Sequence, residues 1–187
     1  ILGYRHYADD VVDQFVQKSI SNGIDIIRIF DCLNDLRNLQ AAVDATNKAK
    51  QQEGRGHAQI ALSYTLGDAY TLDYWMKMAK DIENMGADSI CIKDMAGLLV
   101  PYKAEELVKA MKSATNLPIQ LHTHYTSGVG SMTYLKAVEA GVDVIDCAMS
   151  PLALGTSQPA TEVMVETFKG TEYDTGLDQN LLAEIAD

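Results

Sequence analysis

Apolar residues along this chain switch repeatedly between two spacings. Val12, Phe15, Val16 and Ile20 fall three to four residues apart, the spacing that lays one stripe along a helix. Leu72, Trp75, Met78, Ala79, Ile82 and Met85 repeat it, and so do Leu107, Val108 and Met111. Between these stripes lie short runs rich in β-branched residues, at 24–30, 58–64, 89–92, 118–121 and 142–147, which predict strands. Three of the runs sit at or just after a shared motif: Gly23-Ile24-Asp25, Gly86-Ala87-Asp88 and Gly141-Val142-Asp143. A glycine there can end the preceding helix in the left-handed conformation. A last helix is expected over 157–168, opened by Ser157 and Pro159 and stopped at Gly170.

Five strands at a spacing of roughly 30 residues, with helices between them, make βα units. The runs are apolar on both faces, as in a parallel sheet covered by helices. A doubly wound sheet of this size would need a Gly-rich phosphate loop after a strand. The nearest match, Gly128-Val129-Gly130, lacks the third glycine. The pattern is that of an α/β chain forming part of a TIM (β/α)8 barrel: about the last five βα units, with the first three strands missing. No linker interrupts it before the C-terminal tail, so residues 1–187 read as one C-terminal portion of a barrel domain, a fragment of a longer protein that begins without an initiator Met.

Composition narrows the partners. The chain has 187 residues, 47% of them hydrophobic, and a net charge of −11, which argues against nucleic acid or an anionic membrane as the main partner. No apolar run approaches a membrane span, and nothing resembles a signal peptide. Cys32, Cys91 and Cys147 are odd in number and form no C-x-x-C pair, which points to a reducing cytoplasm.

In a β/α barrel the C-terminal ends of the strands build the active site. Here those ends read Arg28-Ile29-Phe30-Asp31, Ser63-Tyr64-Thr65, Lys93-Asp94, His122-Thr123-His124 and Asp146-Cys147, so polar groups collect at one rim. His122 and His124, two apart on a strand, share a face and can both ligate one divalent metal; as hydrogen-bonded core residues they would need no ion. Lys93 ends the neighbouring strand. An ammonium beside a cation is repelled, so Lys93 is expected to be a Schiff-base amine, a CO₂-derived carbamate that binds the metal, or a partner of Asp94 or Asp31. With the His pair beside it, the carbamate accounts best for the set. Thr156 and Ser157, after the last strand, can cap a helix or face the rim. Met76-Lys77-Met78 matches the core of biotin attachment sites, but its helical spacing buries Met78 and argues against that role.

With these residues in view the chain resembles the carboxyltransferase domain of the biotin-dependent pyruvate/oxaloacetate family: oxaloacetate decarboxylase alpha subunits, transcarboxylase and pyruvate carboxylase. The resemblance runs essentially end to end. It is carried by Gly3-Tyr4-Arg5-His6-Tyr7, Arg28-Ile29-Phe30-Asp31, Ile92-Lys93-Asp94-Met95-Ala96-Gly97-Leu98-Leu99, Leu121-His122-Thr123-His124, Glu139-Ala140-Gly141-Val142-Asp143 and Thr156-Ser157-Gln158-Pro159. It implies a carbamylated Lys93 binding a divalent metal (Zn, Mn or Co) with His122 and His124. It also implies Thr156 as the proton carrier between biotin and pyruvate, and Tyr4 near the biotin and substrate pocket. A fourth ligand, an Asp in an Arg-Asp-Ala-His-Gln segment, and a substrate-binding Arg are absent from this sequence. The implied partners are pyruvate or oxaloacetate, a biotin carrier domain or subunit, further copies in a homo-oligomer and, on the decarboxylase branch, membrane decarboxylase subunits of the parent complex. Tyr125, where pyruvate carboxylases carry Asp, and the Tyr-Arg-His-Tyr start tilt the expectation towards oxaloacetate decarboxylase. Thr-Ser-Gln-Pro pulls towards pyruvate carboxylase. The related lyases and acyltransferases, such as isopropylmalate synthase, share His-x-His but usually lack the lysine.

Overall fold

The computed structural model describes residues 2, 3 and 5–187. Helices and strands alternate as α1 (Asp9–Ser21), β1 (Ile26–Asp31), α2 (Gln40–Glu53), β2 (His57–Ser63), α3 (Leu72–Asn84), β3 (Ser89–Asp94), α4 (Pro101–Ala114), β4 (Ile119–Thr123), α5 (Gly130–Glu139) and β5 (Val144–Ile145). Then follow α6 (Thr161–Phe168) and α7 (Gln179–Ala186). The sheet order is β1-β2-β3-β4-β5, with β1/β2 and β4/β5 parallel. A strand order that follows the chain without reversal belongs to a β/α barrel and not to a doubly wound sheet. The α/β fold is therefore part of a barrel.

Contacts gather into two compact units: residues 1–63, 67–92 and 110–119, and residues 64–66, 93–109 and 120–187. In the first, α1 packs on α2, and α2 covers β1 and β2. Val16, Ile20, Ile27, Ile29, Val43 and Ile60 are buried there. Phe15, expected in the α1 stripe, is 43% exposed. The other face of β1 carries Arg28 half-buried and Ile26 and Phe30 at 54% and 40% exposure. In the second unit, Leu99, Ala104, Leu121, Tyr134, Ala137, Met164 and Phe168 are buried.

The glycine stops hold: Gly23, Gly86, Gly141 and Gly170 all have positive φ. Met76-Lys77-Met78 lies inside α3 with Met78 buried and Lys77 ion-paired to Asp81, so it is a helix segment. The expected last helix is shorter. It starts at Thr161, with Ala160 as a cap that makes no side-chain bond. Residues 154–160 instead form a turn and a β-bridge from Ala148 to Ala160. Neither Thr156 nor Ser157 caps a helix. The fifth strand is also shorter than 142–147, because the Val142 N–H closes α5 by donating to the Ala137 carbonyl (3.0 Å).

Candidate active site

β4 delivers the two histidines. The His124 amide donates to the Asp94 carbonyl (2.9 Å), which aligns Asp94 with Thr123 and Lys93 with His122 across β3 and β4. Side chains alternate, so Lys93, His122 and His124 share one face while Asp94 and Thr123 share the other. The second face is fully buried, and Asp94 is the fastener of the loop after β3. Its carboxylate accepts from the Leu98 and Leu99 amides (2.9 Å each) and from the Thr123 hydroxyl (2.8 Å). Asp94 is thus accounted for as a loop anchor. Gly97 follows in a left-handed turn (φ 67°), and a Cβ there would lie 2.8 Å from the His124 carbonyl and 2.7 Å from Thr126 Oγ1. The Lys-Asp-Met-Ala-Gly motif therefore shapes the wall against which His124 stands.

Each imidazole is fixed through Nδ1. His122 Nδ1 meets Asp146 Oδ2 at 2.8 Å, and His124 Nδ1 meets the Thr156 carbonyl oxygen at 2.6 Å. Both partners only accept, so each Nδ1 carries the proton and each Nε2 of a neutral ring presents a lone pair. Those two Nε2 atoms face one another at 3.2 Å. Two lone pairs at that distance repel unless a proton or a metal ion lies between them. Two ligand nitrogens at about 2.05 Å from a tetrahedral ion would be about 3.3 Å apart. Rings oriented by a carboxylate and a backbone carbonyl are what metal-ligating histidines require. The donor set fits a divalent metal.

Asp146 is itself held in place. Gln120 Nε2 donates to its second oxygen, its amide donates to the Leu121 carbonyl (3.0 Å), and its carbonyl accepts from Tyr134 Oη (2.6 Å). The Tyr134 oxygen also accepts from the Thr123 amide (3.0 Å), so one buried phenol spans β4 and the end of β5. In the sequence Asp146 is legible only as a strand-end carboxylate. Tyr134, in the middle of an apolar helix, gives no signal there.

Thr156 sits in a tightly tied turn. Leu154 and Gly155 are both left-handed (φ 65° and 56°). The Leu154 amide donates to the Gln158 carbonyl (2.8 Å), the Ser157 amide to the Leu154 carbonyl (2.8 Å), and the Tyr125 amide to the Ser157 carbonyl (2.7 Å). The turn aims the Thr156 carbonyl at His124 and leaves the Thr156 residue exposed. Lys93 is half-buried, and its carbonyl accepts from the Tyr64 amide (2.9 Å). Burial, and secondarily the Asp94 charge, raises the pKa of the Tyr64 phenol. Burial, with the Asp146 charge second, pushes the Cys147 thiol up to about 12. Among the described residues no three His, Cys, Asp or Glu converge as a metal cluster.

The remaining sequence candidates lie elsewhere. Tyr4 falls outside the described residues. Asp31 folds its own loop, accepting from the Leu33 and Asp35 amides (3.0 Å each) and from Asn38 Nδ2 (3.2 Å). A cavity of about 550 Å³ in the first unit is lined by Arg5, His6, Phe30, Asp31 and Arg37 among others, and includes neither His122 nor His124. The geometry at His122 and His124 is the better guide to chemistry, because it places two ring nitrogens together and not merely space.

A family model described as HMGL-like matches residues 26–187. The chain is 54% identical over its whole length to a pyruvate carboxylase subunit of Methanocaldococcus jannaschii, covering 32% of that protein. It is 45% identical, again over its whole length, to the methylmalonyl-CoA carboxyltransferase 5S subunit of Propionibacterium freudenreichii subsp. shermanii, covering 36% of it. Among solved structures it matches the carboxyl transferase domain of Rhizobium etli pyruvate carboxylase with pyruvate and biocytin. There the TM-score is 0.92 and the identity 43%, over 98% of this chain and 31% of that one. The chain thus spans about a third of the length of these relatives. With most of its residues inside the family model, it belongs to the HMGL-like family.

Proposed function

We propose that this chain is the C-terminal portion of a carboxyltransferase barrel in a longer protein, and that it moves a carboxyl group between biotin and the methyl carbon of pyruvate. The observation that carries the reading is the pair of Nε2 lone pairs held 3.2 Å apart by Asp146 and the Thr156 carbonyl. Lys93, aligned with His122, completes the ligand set as a carbamate, formed when its neutral amine adds to CO₂ and releases a proton. The bound divalent ion (Zn²⁺, Mn²⁺ or Co²⁺) would polarise the 2-oxo group of the substrate.

In the carboxylation direction carboxybiotin releases CO₂. The Thr156 hydroxyl passes a proton from the pyruvate methyl group to the biotin nitrogen, and the enolate carbon then bonds to CO₂. Run backwards, the same atoms decarboxylate oxaloacetate. The Tyr125 ring packs against Gly130, where a Cβ would meet it at 2.8 Å, so it forms part of the wall. The similarity to proteins named pyruvate carboxylase supports the carboxylation direction at least as well as decarboxylation. Biotin arrives on a carrier outside this sequence.

The test uses the full-length enzyme. Thr156→Ala should keep the metal and lower kcat by about 10²-fold, with Thr156→Ser less affected. ¹³C-bicarbonate should label a carbamate that Lys93→Ala lacks. Absence of stoichiometric metal, or borohydride trapping of pyruvate on Lys93, would overturn the reading.

A further inference from the structure

Gln158 lies beside the histidine pair with a hydrogen-bond donor that the chemistry above leaves unused. Its Nε2 is 3.4 Å from His122 Nε2. The orientation of the amide follows from the ring: His122 Nδ1–H is committed to Asp146, so His122 Nε2 can only accept, and only the amide NH₂ can face it. The other end of the amide is held as loosely, with Ser157 Oγ donating to Oε1 at 3.4 Å. The backbone, by contrast, is fixed, because the Gln158 carbonyl closes the left-handed turn and the Pro159 carbonyl accepts from the Ala148 amide (3.0 Å). A firmly placed main chain thus carries a lightly held NH₂ group to the ligand face of His122.

That arrangement has a consequence once a cation takes the His122 lone pair. An amide NH₂ carries no lone pair for a cation, so its N–H must turn to an acceptor that shares the site. We propose that Gln158 donates a hydrogen bond to the 2-oxo oxygen of the substrate, as a neutral donor that strengthens when that oxygen gains enolate charge. The idea rests on the metal reading above. A donor aimed at developing charge acts on the transition state more than on the ground state. It also explains why a polar side chain stands where a plain packing group would leave the histidines undisturbed.

The experiment measures, in the full-length enzyme, metal content, oxalate affinity and pyruvate kinetics. Oxalate serves as a probe because its charged oxygens mimic an enolate of pyruvate. Gln158→Leu should retain stoichiometric metal, bind oxalate about 10-fold or more weakly, and lower kcat by about 10²-fold while KM for pyruvate moves by less than about 3-fold. Gln158→Glu, nearly the same size, keeps the test valid if the leucine variant misfolds. Its carboxylate should tighten metal binding and repel oxalate. Unchanged oxalate affinity and kcat in a metal-loaded variant would overturn the role of Gln158 alone. Loss of metal from both variants would reduce Gln158 to a support for His122. A wild-type enzyme without metal would overturn the metal reading, and this proposal with it.

Discussion

Asp146→Asn isolates the contact that sets the tautomer of His122. The carboxylate takes the His122 Nδ1–H on one oxygen and the Gln120 amide on the other. Asparagine keeps the shape but replaces one acceptor by a donor. If the new NH₂ faces Gln120, two donors meet; if it faces Nδ1, either two donors meet or the ring moves its proton to Nε2 and loses the lone pair a metal would need. An unsatisfied, largely sheltered donor costs about 1–3 kcal/mol. The side chains of His122 and Asp146 are only 15% and 24% exposed, so water offers partial relief. The cost should surface as metal affinity, where changes behind a ligand are worth about 10- to 100-fold, or about 1.4–2.7 kcal/mol. The two ranges agree. Chelator-buffered titration of the full-length protein would read the affinity directly. In thermal unfolding, metal at 100 times the wild-type Kd stabilises by about 2.7 kcal/mol, and a 30-fold weaker site by only about 0.9 kcal/mol. A folded Asp146→Asn protein that binds metal within 2-fold of wild type would refute the claim that this carboxylate orients the ring.

Three further outcomes are expected. Gly97→Ala, with φ 67° and a Cβ 2.8 Å from the His124 carbonyl, should destabilise by about 2 kcal/mol or more in urea unfolding and weaken metal binding, whereas an unchanged midpoint would contradict the close approach. Asp31 has its pKa lowered chiefly by the Asp35 amide, so its contribution to stability is complete above the unfolded value near 3.9 and is lost as pH falls through the lower folded value. Asp31→Asn should therefore flatten the acid limb of the stability profile and leave equal slopes only if the loop contacts are immaterial. Iodoacetamide at neutral pH should label exposed Cys32 in the native protein and spare buried Cys91 and the raised-pKa Cys147, which peptide mass mapping would show.

What can be read from the sequence follows a physical division. Side-chain identity at strand ends is legible, because a strand alternates faces and a β/α barrel puts its chemistry at one end. His122, His124 and Lys93 stand out in that way, and the structure aligns Lys93 with His122 on one face. Groups that act through the main chain leave little trace. The Thr156 residue draws notice for its hydroxyl, yet the atom that touches the histidine pair is its carbonyl. The Gly97 motif is recognisable as a string of letters, but its purpose, room for the His124 carbonyl, appears only in three dimensions.

The largest departure from expectation is the helix predicted from residue 157. Thr-Ser-Gln-Pro carries the usual signs of a helix start, and local propensity alone would form one. What prevents it is Leu154, a large side chain at φ 65°, in a conformation that costs of order 1–3 kcal/mol and that no residue type announces. The Leu154 and Ser157 amides and the Tyr125 amide hold the turn against that cost. Had the helix formed, residues 156–158 would have had their carbonyls directed along its axis, and the Thr156 carbonyl could not have reached His124 Nδ1. The strain therefore lies where the site needs it: local sequence logic fails at the turn that brings the Thr156 carbonyl and the Gln158 amide to one pair of histidines.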